Sequence, residues 1–174
     1  AFIYEYPIEE AIRSILPLCT DFVVAVGKSD DETRKLIEKI DPVKIRIIDT
    51  VWDDSMRDGG KVLALETNKA FNEINADSDW CFYIQGDEVL HEKFHEPVKN
   101  AMLEWKDDKN VEGLVFDYHH FYGSYDYTGD SRNWYTKEVR IIRKDAEIYS
   151  FRDAQGFQKY KRPLNVKKSN ASIF

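Results

Sequence analysis

Carboxylates at the end of an apolar strand are groups that can do chemistry. The stretch WCFYIQGDEVLHE, residues 80–92, runs from Cys81, Phe82, Tyr83 and Ile84 straight into Gln85, Gly86, Asp87 and Glu88. In an open α/β sheet, ligands gather at the carboxyl ends of strands, where rigid strands hold variable loops. A hard divalent cation such as Mg²⁺ or Mn²⁺ takes one or two carboxylates when phosphate oxygens supply its other ligands. Asp87 is therefore the metal-ligand candidate, with Gln85 and Glu88 beside it on the donor side. The plainer alternative is that these carboxylates end a strand and cap the next helix.

Other residues could complete such a site. Arg57 and Lys61 flank Gly59 and Gly60 ahead of a helix, where cations and a helix N-terminus suit a diphosphate. Asp153, Glu138 and Asp117 are carboxylates able to take a proton from an attacking hydroxyl. The stretch YGSYDYTGDSRNWY offers aromatic faces and polar groups suited to sugar hydroxyls, with Tyr122, Tyr125 and Trp134 next to His119 on the acceptor side. Its rings could equally pack back on their own domain. No CxxC or HExxH pattern supports zinc, and the four histidines and two cysteines form no nucleophilic triad.

The elements that would position these groups follow from periodicity. Pro7, then Ile8, Ala11, Ile12, Ile15 and Leu16, gives a helix stopped by Pro17. FVVAVG, residues 22–27, is a short β-branched strand, and KSDDET offers Ser29 or Asp30 as the cap of a helix through Ile40. KIRIID at 44–49 is a strand, WDDSMRDGGK a loop, 62–74 a helix and CFYI a strand. A helix at 94–105 follows, then the strand GLVFDYHHF, a long loop at 122–134 and the strand EVRIIRK. This alternation predicts a mainly parallel sheet covered by helices, in one domain spanning 1–174.

Composition bounds the function. With 174 residues, 43% hydrophobic and 14% aromatic, the chain can bury a core, and no apolar run approaches a bilayer span. A net charge of -7 argues against nucleic acid as partner. Cys19 and Cys81, both in apolar settings, suit a reducing compartment such as the cytoplasm. The chain starts at Ala1 without a signal-like leader and stops at Phe174 as an apolar pattern begins, which predicts a fragment of a longer chain with further site residues beyond its ends.

The order strand, GKSDDET, strand, WDD loop, helix from Lys61, strand and QGDE resembles the family-2 glycosyltransferases of the GT-A fold over most of the chain. RSILP, DTVWDDSMRDGGKVLALETN, FDYHHFYGSYDY and EVRIIRK resemble a bacterial subgroup of them. The resemblance implies a GT-A-like three-layer α/β sandwich and metal-assisted, inverting transfer of a sugar. The donor would be a nucleotide-diphosphate sugar and the acceptor a saccharide or a lipid-linked molecule of the cell envelope, at the cytoplasmic face of the membrane.

By that resemblance Asp87 holds the metal, Ser29 lies in the donor segment, Lys61 balances phosphate charge and Asp153 is the favoured base. The chain departs from the family pattern at Gln85, which replaces the first aspartate of the acidic motif, and at Val26 and Gly27, where an aspartate would read the base. The family's first strand is represented at most by Ala1–Tyr4, and the family's late histidine near the metal is absent unless it follows Phe174. Two rival readings are a noncatalytic sugar- or nucleotide-binding module on the same fold and, more remotely, a nucleotidyltransferase.

Overall fold

The computed structural model describes residues 5–53, 60–129 and 134–174. The first helix forms as its periodicity predicts: α1 (Ile8–Ile15) turns Ala11, Ile12 and Ile15 inward. The strand β1 (Phe22–Gly27) leads to a short α2 (Thr33–Glu38) and to β2 (Ile45–Thr50), which pairs with β1 in parallel. The helix α3 (Lys61–Glu73) begins at Gly60, whose φ of 68° lies in the left-handed region that glycine enters without a Cβ clash. The strand β3 is reduced to Cys81–Phe82, and α4 spans His95–Glu104.

The second half holds β4 (Gly113–Tyr118), β5 (Phe121–Tyr122), β6 (Ser124–Thr128) and β7 (Lys137–Ile142). It continues with β8 (Ile148–Phe151), β9 (Gly156–Lys159), β10 (Arg162–Pro163) and β11 (Val166–Ile173). The central sheet runs β11-β4-β7-β3. Its main core joins Leu114, Phe116 and Ile141 to Ile15 of α1, Val98 of α4 and Ile173 of β11. Burying each such large side chain contributes about 1.5–3 kcal/mol.

The class is mixed α/β, and the expectation of a mainly parallel sheet needs correction. Among the described residues parallel pairing is confined to β1–β2 and β4–β11, whereas β3–β7, β4–β7, β8–β9, β9–β10 and β5–β6 are antiparallel. The cause is local: β7 enters between β3 and β4 with reversed direction, and 148–163 folds into a three-stranded meander that alternation of helix and strand did not foresee. The expected strand GLVFDYHHF breaks after Tyr118 and its Phe121 joins Tyr122 in β5, which pairs with β6 inside the expected loop at 122–134. Arg57 and the possible first strand at 1–4 lie outside the described residues. No helix among the described residues is long and apolar enough to cross a membrane.

Candidate functional site

At the end of β3 the chain leaves the sheet through a closed turn. Tyr83 still donates its N–H to the Arg140 carbonyl (2.7 Å), after which Glu88 N–H donates to the Gln85 carbonyl (3.2 Å). The Glu88 carboxylate in return accepts from Gln85 N–H at 3.1 Å. Both Glu88 and Arg140 are fully buried. Arg140 Nη2 and Nε donate to the two Glu88 oxygens at 2.6 and 3.0 Å, and the Tyr118 hydroxyl donates to Glu88 Oε1 at 2.8 Å. The guanidinium lies between the Tyr83 and Tyr118 rings, 5.4 and 5.5 Å from their centroids.

Glu88 must therefore be corrected from a donor-binding residue to an anchor. Its carboxylate is consumed by a buried two-pronged ion pair and fixes the turn that presents Asp87. Arg140 escaped the sequence reading. The available signal was a charged residue between Val139 and Ile141 in an otherwise inward-facing strand, which demands a buried counter-ion.

Asp87 itself stays partly open to solvent on the wall of a cavity of about 660 Å³, and desolvation raises its pKa above the ordinary carboxylate value. Trp52, Gln85, Tyr135, Asp153 and Gln155 line the same cavity. The Trp52 indole closes over the end of β1, since a Cβ on Gly27 would lie 2.4 Å from its Nε1. Gly27 is thus required by a ring, and it stands where the resemblance led one to look for a base-reading aspartate.

Asp153 is placed by backbone strain. It sits between Arg152 (φ 57°) and Ala154 (φ 62°), both left-handed without being glycine. Such residues cost on the order of 1–3 kcal/mol each and persist only when their surroundings hold them, often at functional sites. A Cβ at Gly60 would meet Asp153 Cβ at 2.4 Å, so the carboxylate-bearing turn abuts the start of α3. Asp153 Oδ1 is buried without a hydrogen-bond partner among the described residues.

Glu138 lies behind this point. Its Oε2 is 3.5 Å from Arg140 Nη1 and 3.8 Å from a Cβ built on Gly156. Desolvation raises its pKa from 4.5 to about 7; Arg140 opposes the shift, and Glu88 and Asp153 add to it. The folded state holds this proton more tightly than the unfolded chain, so Glu138 costs no stability below pH 4.5 and a growing amount as pH rises toward 7. The limit is about 3 kcal/mol. Glu138→Gln removes the titration, so the stability of the variant relative to the natural chain should rise between pH 4.5 and 7 and then level off. Urea midpoints at stepped pH measure this, and parallel curves would refute it.

The other expected residues do not join the cavity wall. Ser29 donates to Asp31 Oδ1 (2.7 Å), an oxygen that also accepts Thr33 N–H at the start of α2, so its hydroxyl supports a helix end. Lys61 is exposed on the first turn of α3, beside the site without lining it. Asp117 is exposed on β4 opposite Lys137.

His119 stacks on Phe174 at 5.1 Å, while Tyr122 and Tyr125 are exposed on the hairpin. Trp134 packs on His120 (4.7 Å), which packs on Tyr135 (4.3 Å). Of this aromatic group only Tyr135 reaches the cavity, so the hairpin connects to the site through one ring.

Among the described residues no three His, Cys, Asp or Glu side chains converge to hold a metal ion. Asp87 alone is a hard oxygen ligand fit for Mg²⁺ or Mn²⁺ only if a phosphate-bearing ligand supplies the remaining oxygens. The chain matches no protein-family model and no curated protein.

Proposed function

We propose that this chain transfers a sugar from a nucleotide-diphosphate donor to a hydroxyl of a saccharide or lipid-linked acceptor, on a GT-A-like α/β framework at the cytoplasmic side of a membrane. The observation that carries this reading is the arrival of two carboxylates from distant segments, Asp87 after β3 and Asp153 after β8, on one cavity. The strained setting of Asp153, its buried unpartnered oxygen and the resemblance of GKSDDET and QGDE to the family-2 glycosyltransferases support it.

Asp153 accepts the proton of the acceptor hydroxyl as that oxygen bonds the anomeric carbon. The bond from that carbon to the diphosphate oxygen breaks, its electron pair leaving with the nucleoside diphosphate and the configuration inverting. Asp87 would hold Mg²⁺ or Mn²⁺ with the diphosphate oxygens, and that ion supplies charge neutralisation for the leaving group. The first turn of α3 and Lys61 add favourable potential for the phosphates. The Trp52 indole offers a stacking face for the base.

Gln85 favours a second reading, a noncatalytic binding module, because an amide in place of the motif's first aspartate contributes hydrogen bonds and no charge. Titration calorimetry with a panel of nucleotide-diphosphate sugars and Mn²⁺ tests both. Saturable, Mn²⁺-dependent binding is expected, weakened about tenfold or more by Asp87→Asn, or at least ~1.4 kcal/mol, at an unchanged unfolding midpoint. Release of free nucleoside diphosphate marks an enzyme; binding without release marks the module. An Asp87→Asn variant that binds as the natural chain does would remove Asp87 from the site.

A further inference from the structure

β8 is the outer strand of the order β10-β9-β8, and among the described residues its only strand partner is β9. Its other edge is met at one residue by one side chain of α3. The Asn68 carboxamide donates from Nδ2 to the Ser150 carbonyl at 3.0 Å and accepts Ser150 N–H on Oδ1 at 2.8 Å. An amide that gives one donor and one acceptor to a single residue copies what a neighbouring strand offers. Ser150 is only 2% exposed, so without Asn68 both of its backbone groups would be buried and unpaired.

The hydrogen-bond parity of β8 follows. With both Ser150 groups turned to α3, the adjacent Tyr149 and Phe151 turn theirs to β9, where they stand opposite Gln158 and Gly156. Asn68 therefore fixes the register of β8 against α3. Apolar contacts along an edge tolerate sliding, whereas this pair of bonds addresses one residue. A slip by one residue would turn every β8 side chain over, and a slip by two would carry the strand ~7 Å along the helix.

Asp153 lies three residues beyond Ser150, in the turn that holds Arg152 and Ala154 at φ 57° and 62°. Inside that turn Ala154 N–H donates to the Phe151 carbonyl at 3.2 Å, and on its far side Arg140 Nη1 donates to the Gln155 carbonyl at 3.3 Å. On its near side stands Ser150. The helix meets this segment in reverse order: Lys144 Nζ donates to the Phe71 carbonyl near the end of α3 (2.6 Å), Ser150 is held at its middle, and Asp153 abuts Gly60 at its start. Of these three contacts, only the middle one grips strand backbone.

We propose that Asn68 is a positioning residue: by holding Ser150 it sets where along α3 the β8–β9 turn falls, and so keeps the Asp153 carboxylate on the cavity wall against Gly60. The strain at Arg152 and Ala154 is the reason a holder is needed. Left-handed residues other than glycine persist only where their surroundings fix them, and Asn68 supplies the fixed point before the turn as Arg140 does after it. This inference rests on the reading of Asp153 as the base, since its consequence for turnover passes through that carboxylate, and the experiment separates the two.

Nuclear magnetic resonance of the ligand-free chain reads the placement without a substrate. Asn68→Ala should speed amide exchange at Ser150 and Ala154 by about tenfold or more beyond any change in α4. It should also take Arg152 and Ala154 out of the left-handed region, as seen in their backbone carbon shifts. Asn68→Asp, which keeps Oδ1 on Ser150 N–H and loses only the bond to the carbonyl, gives the same readings if the alanine variant does not fold. With a nucleotide-diphosphate sugar and Mn²⁺ present, single-turnover release of nucleoside diphosphate should fall about 10²-fold in Asn68→Ala, with the donor dissociation constant changed less than about twofold. In an Asp153→Asn background the same substitution should lower release no further, because the group through which it acts is gone. Absence of release from the natural chain would remove the sugar-transfer reading and leave the placement of Asp153 decided by the resonance data alone. Unchanged left-handed shifts and Ser150 protection in Asn68→Ala, exchange that rises equally in α4, or equal losses of release with and without the Asp153 carboxylate would each overturn the proposal.

Discussion

Arg140→Met is expected to destabilise the chain by about 3–5 kcal/mol, the largest single effect we foresee. The substitution keeps much of the side-chain volume between Tyr83 and Tyr118 but removes every charged partner of Glu88 at its fully buried position. Glu88 would then either hold an unpaired charge in the interior or take up a proton, and Tyr118 and the Gln85 amide could not compensate a full charge. Natural domains have only about 5–15 kcal/mol to lose, so partial unfolding at room temperature is a realistic outcome.

The double variant Arg140→Met with Glu88→Gln should recover a large part of the loss, because removing both charges removes the cost of burying either one. Urea denaturation of the two variants measures this. A loss below about 1 kcal/mol for the single change would show that water reaches the pair, contrary to its burial. Because this pair closes the turn behind Asp87, the single variant should also lose any ligand binding that depends on Asp87.

The second large effect is expected at Asp153. Replacing it with Asn keeps the shape of the turn between Arg152 and Ala154 and its contact with Gly60, yet removes the acceptor for a proton. If sugar transfer depends on this carboxylate, turnover should fall by about 10²–10⁴-fold while the affinity for donor changes little. Stability should hold or rise slightly, since a buried oxygen without a hydrogen-bond partner contributes nothing favourable as a charge. Single-turnover release of nucleoside diphosphate, alongside a melting curve, separates these effects. A variant that melts early and turns over in proportion to its folded fraction would make Asp153 a structural residue. Glu138→Gln at the same pH gives the comparison: a role as proton relay predicts loss of rate with an altered pH profile, whereas a purely structural role predicts only the stability change described above.

The elements β1, α1, α3, α4 and β7 were legible from their apolar runs and spacing, most directly in α1, which buries Ala11, Ile12 and Ile15; in α3 the inward face departs from the apolar pattern, since Val62, Ala64, Glu66 and Phe71 are buried while Leu63 and Leu65 are exposed. The exit of β3 from the core was legible too, since an apolar run that turns acidic marks a strand leaving the interior, and Asp87 lines the cavity there. Asp153 and Glu138 could be named as carboxylates, but their proximity could not be read, because they stand fifteen positions apart with a strand between them.

What only the tertiary structure decided is which of these groups are already committed. Glu88 and Arg140 lie 52 positions apart, and nothing local in QGDEVL distinguishes the carboxylate that enters the interior from the one that faces the cavity. Ser29, by contrast, sits at the helix start where KSDDET offered it as a cap, its hydroxyl bonded to Asp31 two residues on, so its place was local and legible. The reversed direction of β7 and the meander at 148–163 likewise depend on pairing between distant strands, whose partners no period in the sequence encodes. Sequence thus determined the elements and the chemical types available, because these follow from near neighbours. The fold decided direction, pairing and burial, because those depend on segments that meet only when the chain is closed on itself.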